Sequence, residues 1–277
     1  MSTEELVYTV EDGIATLLLN RPDQRNAFTL TMIDAWERAL RTAGADPEVK
    51  VVVLTGAGEG FCAGGDMDTV GDTGASGPLE QKNTLHLRIH KVARALEDLD
   101  KPVIAAINGV AVGAGLDMAL MCDIRFAARS ARMSEGYIRL GLVPGDGGAY
   151  FLPRLVGQSK ALELLLGGEF VDAEEALRIG MVNRVVDDAD LLGETYAFAA
   201  KIAARPSLPV GMIKRAVRSS DRLDMRTSLD LISSHMAVVM STPEAQQAID
   251  AVRSAVVRDK GRSAAATPPE GTEARRT

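Results

Sequence analysis

The chain has 277 residues, 46% of them apolar and 25% charged, enough apolar material to bury one large domain with an appended segment. Its net charge of −7, with both signs interleaved, excludes the basic footprint of a nucleic-acid-binding protein and leaves room only for a local cationic patch. No apolar run approaches the ~18 residues of a membrane span, and Met1–Thr9 carries Glu4 and Glu5 without an apolar signal core, so neither a membrane segment nor a secretory leader is expected.

Leu6–Val10 and Ile14–Leu19 are β-rich runs joined by Glu11-Asp12-Gly13, a hairpin signal with glycine in the turn. Asn20-Arg21-Pro22-Asp23 ends the second strand. Thr31–Arg41 shows helical periodicity through Ile33, Trp36 and Leu40, with Thr29 or Thr31 as N-cap. Val49–Leu54 is apolar apart from Lys50, as expected of a strand covered on both faces. A glycine-rich loop, Gly56–Gly65, follows it, and Val70–Gly77 reads as a mobile surface segment.

Leu85–Leu99 predicts one amphipathic helix, and Pro102 precedes a buried strand at Val103–Ile107. A second glycine-rich turn spans Asn108–Gly115, then come a helix from Leu116 to Met121 and a third buried strand at Ile124–Ala128. Strand, glycine loop and helix recur roughly every 50–60 residues, the rhythm of a stacked or spiral parallel sheet of the α/β class. After Val186 the pattern turns helical over Leu191–Ala204, Leu208–Arg218, Met225–Met240 and Pro243–Val257. Met236, Val238, Val239 and Met240 leave an apolar stripe suited to burial against another subunit. The expected division is a core over residues 1–190, a helical subdomain over 191–258 and a disordered Ala/Pro/Thr/Arg-rich tail over 259–277.

Two of the loops carry a chemical signal. Phe61-Cys62-Ala63-Gly64-Gly65-Asp66 follows one buried strand, and Gly113-Ala114-Gly115-Leu116-Asp117 opens a helix after another. Small residues let the backbone approach a ligand, and the first N–H groups of a helix lack internal partners. Two such loops at neighbouring strand ends aim backbone donors at one carbonyl oxygen and stabilise an enolate. For either loop alone, glycines that merely make tight turns leave the same trace.

The pair, in this order, resembles the crotonase superfamily of enoyl-CoA hydratases and isomerases, and the likeness runs from about Val7 to Val257. It is carried by Asn20-Arg21-Pro22 with Arg25-Asn26-Ala27, by both glycine loops, and by Lys101-Pro102-Val103-Ile104-Ala105-Ala106-Ile107-Asn108-Gly109. Met121-Cys122-Asp123-Ile124-Arg125, Gly141-Leu142-Val143-Pro144-Gly145 and Ala173-Glu174-Glu175-Ala176 complete it. The resemblance implies a crotonase-like spiral of ββα units with a C-terminal helical trimerisation subdomain, assembled as a trimer or a dimer of trimers. It implies that the N–H groups of Ala63 and Ala114 form an oxyanion hole for an acyl-CoA thioester. The adenine and phosphate end of CoA would then lie near Arg25, Ala27 and Asp66, and CoA would enter as part of the substrate with no separate cofactor.

Hydratases of this family share one water between two glutamates. Here Asp117 occupies the first position and Tyr137 the second. Asp117 keeps a carboxylate with a reach shorter by one methylene; a phenol with a pKa near 10 is a poor base but can donate a hydrogen bond or a proton. Asp146, in Pro144-Gly145-Asp146-Gly147-Gly148, is either a turn former or helix N-cap, or a third catalytic group facing the acyl chain. Glu135 would share the face of Tyr137 if that segment were extended. His86 and His90 lie one helical turn apart without a third ligand, so no metal site is expected. Asp123 reads as structural, and Cys62 lacks a base that would make it a nucleophile. Cys62 and Cys122 in apolar surroundings fit buried thiols in a reducing cytoplasm.

The leading expectation is an enoyl-CoA hydratase/isomerase-type enzyme with Asp117 as acid or base, and with ordinary two-glutamate hydration impaired by Tyr137. The alternatives are hydrolytic cleavage of a β-dicarbonyl through Asp146, and a non-catalytic acyl-CoA-binding protein.

Overall fold

The computed structural model describes residues 4–67 and 77–265, with residues 255–265 as backbone alone. Strands β1 (Leu6–Glu11) and β2 (Ile14–Leu19) form the expected hairpin, turning through Asp12 and Gly13, both at positive φ. Helix α1 (Leu30–Ala45) starts at Thr29, whose hydroxyl accepts the Met32 N–H at 3.0 Å. It buries Met32, Ile33, Trp36, Ala39, Leu40 and Ala43, one stripe at helical spacing.

From there a long strand, a short strand and a helical segment repeat. The first unit is β3 (Val51–Gly56) and β4 (Gly60–Cys62), followed by α2 (Pro78–Asn83), a π-helical turn at Thr84–Ile89 and α3 (Lys91–Asp98). The second is β5 (Val103–Ile107), β6 (Val110–Val112) and α4 (Ala114–Leu120). The third is β7 (Ile124–Ala128) and β8 (Arg132–Ser134), then a 3-10 turn at Gly136–Leu140 and α5 (Gly148–Val156). The single helix expected over Leu85–Leu99 is therefore corrected to two pieces, a π-helical turn and α3, because the backbone widens at Thr84–Ile89 before α-winding resumes. Val70–Gly77, expected to be a mobile loop, falls outside the described residues except for Gly77.

The chain continues through α6 (Gln158–Gly167), β9 (Val171–Asp172), α7 (Ala173–Arg178) and β10 (Arg184–Val186), then through α8 (Leu191–Ala203), α9 (Ser207–Ser219), α10 (Met225–Met240) and α11 (Pro243–Ala265). Among the described residues the strands build a six-stranded sheet, β1-β2-β3-β5-β7-β10, and a four-stranded one, β4-β6-β8-β9. The first is parallel from β2 onward, and the second is parallel from β4 to β8. Each ββα unit thus adds one strand to each sheet, the spiral of ββα units expected from the sequence. β3 and β5 are buried along their whole length, which explains their apolar sequences, and Thr55 in β3 is satisfied by donating to Ala106 O at 2.9 Å.

Two compact units divide at Lys214/Arg215, inside α9. Helix α8 belongs to the first, where Ala199 packs with Ile14, Val51, Val53 and Ile104. Helix α11 runs on to Ala265, past Asp259 where the tail was expected to begin; residues 266–277 lie outside the described residues. No helix among the described residues is long and apolar enough to cross a membrane.

Candidate active site

The polar motifs brace the two glycine loops. Asn26 is buried with a left-handed backbone, and its Nδ2 donates to Ala57 O at 2.9 Å and Gly60 O at 2.8 Å, while its Oδ1 accepts Arg21 N–H at 2.9 Å. Asn108 Nδ2 reaches Gly58 O at 2.9 Å, and its Oδ1 accepts Gly56 N–H at 3.1 Å. The loop after β3 is therefore held from both sides by side-chain amides standing in for backbone partners. Gly115 then joins the two loops, since a Cβ there would collide with the carbonyl group of Cys62.

This closeness brings Ala63 and Ala114 to one locality. Ala114 is the first residue of α4, and as such its N–H has no acceptor within the helix. Ala63 N–H donates to Arg25 O at 3.0 Å, so this donor is engaged inside the fold. Asp66 is also engaged: it pairs with Arg21 Nη1 at 2.6 Å, while Arg21 also donates to Ala27 O. Arg25 is exposed, in a left-handed turn at φ 48°. Of the residues expected around CoA, Arg25 is thus the exposed cation, and Ala27 and Asp66 are bound to Arg21, a partner that sequence reasoning missed.

The acids converge more tightly. Asp117 sits on α4, fully buried, with Oδ2 2.7 Å from the Tyr137 hydroxyl. Asp146 Oδ2 lies 3.0 Å from that same hydroxyl. The N-cap of α5 is Gly147, with no side-chain cap bond, so the Asp146 carboxyl is turned toward Tyr137 instead of capping the helix. The loop holding Asp146 is pinned by His90, whose Nε2 is 2.7 Å from Gly145 O and therefore carries the proton. His86 and His90 stack edge-to-face with centroids 6.1 Å apart.

Tyr137 has one hydroxyl proton. When it donates to Asp117, the contact with Asp146 is a hydrogen bond only if Asp146 is itself protonated. Burial pushes the Asp117 carboxyl up to about 6, against the pull of the Tyr137 hydroxyl. Burial also raises Asp146, opposed by Tyr137 and His90. Tyr137 is pushed far upward by burial and then by Asp117 and Asp146, so it remains a hydroxyl and never a phenolate base. The cluster reads as one base and one acid joined by a neutral donor.

Glu135 completes the cluster. Extended backbone does not bring it there: the 3-10 turn at Gly136–Leu140 folds the chain sharply, with Tyr137 N–H donating to Glu135 O at 2.5 Å. Pairing of Val112 with Ser134 sets Glu135 just past the start of α4. Its carboxyl is 2% exposed and pushed up to about 10 by burial first and Asp117 second. The available signal was β6–β8 pairing beside the helix that carries Asp117, which residue-level reading does not supply.

The remaining motif residues are structural. Asp123 Oδ2 accepts Val103 N–H at 2.8 Å and pairs with Lys214 at 2.7 Å. Buried Arg125 donates to Met181 O, Leu120 O and Cys122 O. Cys62 is fully buried, its thiol pushed up to about 12 by desolvation, which removes it as a nucleophile.

The sequence model of the family described as Enoyl-CoA hydratase/isomerase matches residues 9–253. The chain is 39% identical to a 1,2-epoxyphenylacetyl-CoA isomerase of Escherichia coli, over 82% of its own length and 87% of the relative's. It is 35% identical to a short-chain-enoyl-CoA hydratase of Clostridium acetobutylicum, covering 91% and 95% of the two chains. The crystal structure of an enoyl-CoA hydratase from Mycobacterium smegmatis superposes with a TM-score of 0.85 at 35% identity, over 91% of this chain and 97% of that one.

Proposed function

Given that the chain belongs to the enoyl-CoA hydratase/isomerase family, we propose that it is a proton-transferring isomerase of acyl-CoA thioesters, with Asp117 as base, Asp146 as acid and Tyr137 as the bridge between them. The single observation that carries this is the Tyr137 hydroxyl, 2.7 Å from one carboxyl and 3.0 Å from the other. In a hydratase the second acidic position holds a base that polarises water; here it holds a neutral hydroxyl.

For a 3-enoyl thioester the steps balance. Asp117 carboxylate takes a proton from Cα, breaking that C–H bond, and the electron pair moves into a dienolate whose oxygen is stabilised by backbone donors. Asp146 gives its proton to Cγ, forming a C–H bond and leaving the double bond between Cα and Cβ. Asp117, now protonated, passes its proton to the Tyr137 oxygen as Tyr137 gives its own to Asp146, and both acids return to their starting states. Ala114 N–H is the first donor to the thioester oxygen. Ala63 N–H is the second, shared with Arg25 O or released from it. Arg25 serves the CoA phosphates as a cation, Ala27 and Asp66 form the adjoining wall, and CoA enters only as part of the substrate.

Self-association through the C-terminal helices, as a trimer or a dimer of trimers, is supported by exposed Met225, Leu229, Ile232, Met236 and Met240 on α10. A cytoplasmic location is supported by the two buried free thiols, Cys62 and Cys122. Side-by-side turnover of 3-hexenoyl-CoA and crotonyl-CoA by purified protein tests the reaction class. Isomerisation should outrun hydration by about 100-fold, the scale of one lost acid–base group; hydration as fast as isomerisation would contradict the assignment.

A further inference from the structure

Glu135 has no part in the proton transfer above, yet it is among the most deeply buried acids of the fold. Among the described residues neither of its carboxyl oxygens, nor Asp117 Oδ1, has a well-aligned hydrogen-bond donor as long as both groups are ionised, although the Gly148 N–H bears on the Asp117 carboxyl. The two carboxyls meet over Gly148, at the first turn of α5: a Cβ there would lie 2.7 Å from Glu135 Oε2 and closer still to Asp117 Oδ1. The titratable groups facing the pair are Tyr137 in the 3-10 turn and Asp146 in the loop before α5. His90, at the end of the π turn, bears on Asp146 alone of the three carboxyls. Among the described residues no cation therefore offsets a second charge beside Asp117, and two bare carboxylates set against the same backbone position in a dry site repel strongly.

One proton resolves both the repulsion and the missing donor. We infer that Glu135 is a positioning residue whose protonated carboxyl donates to Asp117 Oδ1, holding the base carboxylate with Oδ2 toward Tyr137. Asp117 then has a donor on each oxygen: Glu135 on Oδ1 and Tyr137 on Oδ2. The proton resides on Glu135 because the Tyr137 hydroxyl, 2.7 Å from Asp117 Oδ2, favours the ionised form of Asp117, whereas neither oxygen of Glu135 has a donor among the described residues and burial pushes that carboxyl upward. The role rests on the assignment of Asp117 as base.

Two variants and one spectroscopic measurement test it. Glu135→Gln keeps an N–H donor to Asp117 and should hold kcat for 3-hexenoyl-CoA isomerisation within about threefold. Glu135→Leu removes the donor: kcat should fall more than about tenfold with KM nearly constant, and the acid limb of the kcat profile should rise by about one pH unit. Infrared difference spectra of the free enzyme at neutral pH should show a protonated-carboxyl C=O band that is lost in Glu135→Gln and retained in Asp146→Asn. A Gln variant as impaired as Leu, an unmoved acid limb in Leu, or no such band would overturn the inference. If Glu135→Leu does not fold, the Gln variant and the infrared band still decide. Turnover surviving in Asp117→Asn would contradict the base assignment instead, and the band would still show whether Glu135 holds the proton.

Discussion

In the proposed isomerase Tyr137 sets the chemistry, because it supplies a hydroxyl where a hydratase of this family supplies a second carboxylate. Tyr137→Phe removes the donor 2.7 Å from Asp117, so the Asp117 carboxyl should climb above about 6. As a base Asp117 works ionised, so activity is lost as pH falls through its pKa, and the variant's acid limb should move to higher pH with kcat about 10- to 100-fold lower. Glu135 adds a linkage effect on stability. Its carboxyl is raised from 4.5 to about 10, so between those values the folded state holds a proton that the unfolded chain has released. Stability from this group is thus present at low pH and declines as pH rises through the window. Glu135→Gln cannot ionise and should melt on the order of 5 °C above wild type at alkaline pH, with little difference near pH ~4.5, by calorimetry. Asp117, Tyr137 and Asp146 were legible because each departs from a motif whose spacing is short. The Arg21–Asp66 pair and the burial of Glu135 were not, because each depends on chain segments that only the folded sheets bring together.

The elements explain why the site tolerates so little change in backbone. Gly148 opens α5 at normal helical geometry, so its role is space and not left-handed φ. A Gly148→Ala Cβ would drive into Asp117 and Glu135; kcat should fall at least about tenfold while thermal stability changes by no more than about 2 kcal/mol. Asn26 acts at greater range: Asn26→Ala deletes three hydrogen bonds, one buried and two part-buried, that shape the loop leading to Ala63, at a cost of about 2–4 kcal/mol in denaturant unfolding. Buried strands were read correctly because β3, β5 and β7 are covered on both faces and so are mostly apolar, Thr55 and Arg125 being accommodated by hydrogen bonds to backbone carbonyls. The π turn was not, since the apolar spacing of Leu85–Leu99 fits one helix, and a widened turn leaves no mark in residue type. That turn sets His90 against Gly145, whose carbonyl accepts from Nε2 at 2.7 Å, and this hydrogen bond holds the loop carrying Asp146.

At the scale of the whole molecule, the repeated ββα unit delivers a loop at the end of each turn, and the site gathers where the loops after β4, β6 and β8 meet. The rhythm of strands and glycine turns carried this architecture in the sequence, whereas the division at Lys214/Arg215 depends on how α8 packs and was not visible there. The apolar stripe on α10 belongs to the same scale. Light scattering should report a trimer or hexamer for the wild type, and Leu229→Glu with Met236→Glu should shift it to smaller species without loss of helicity. The enolate is the intermediate on which the assigned chemistry depends, and a saturated thioester isolates it, because butyryl-CoA can be neither hydrated nor isomerised. Deuterium wash-in at Cα of butyryl-CoA in D2O, followed by NMR, should be catalysed by the wild type and slowed at least about 100-fold in Asp117→Asn. No wash-in with wild type, or an equal rate in Asp117→Asn, would contradict an enolate drawn out by Asp117.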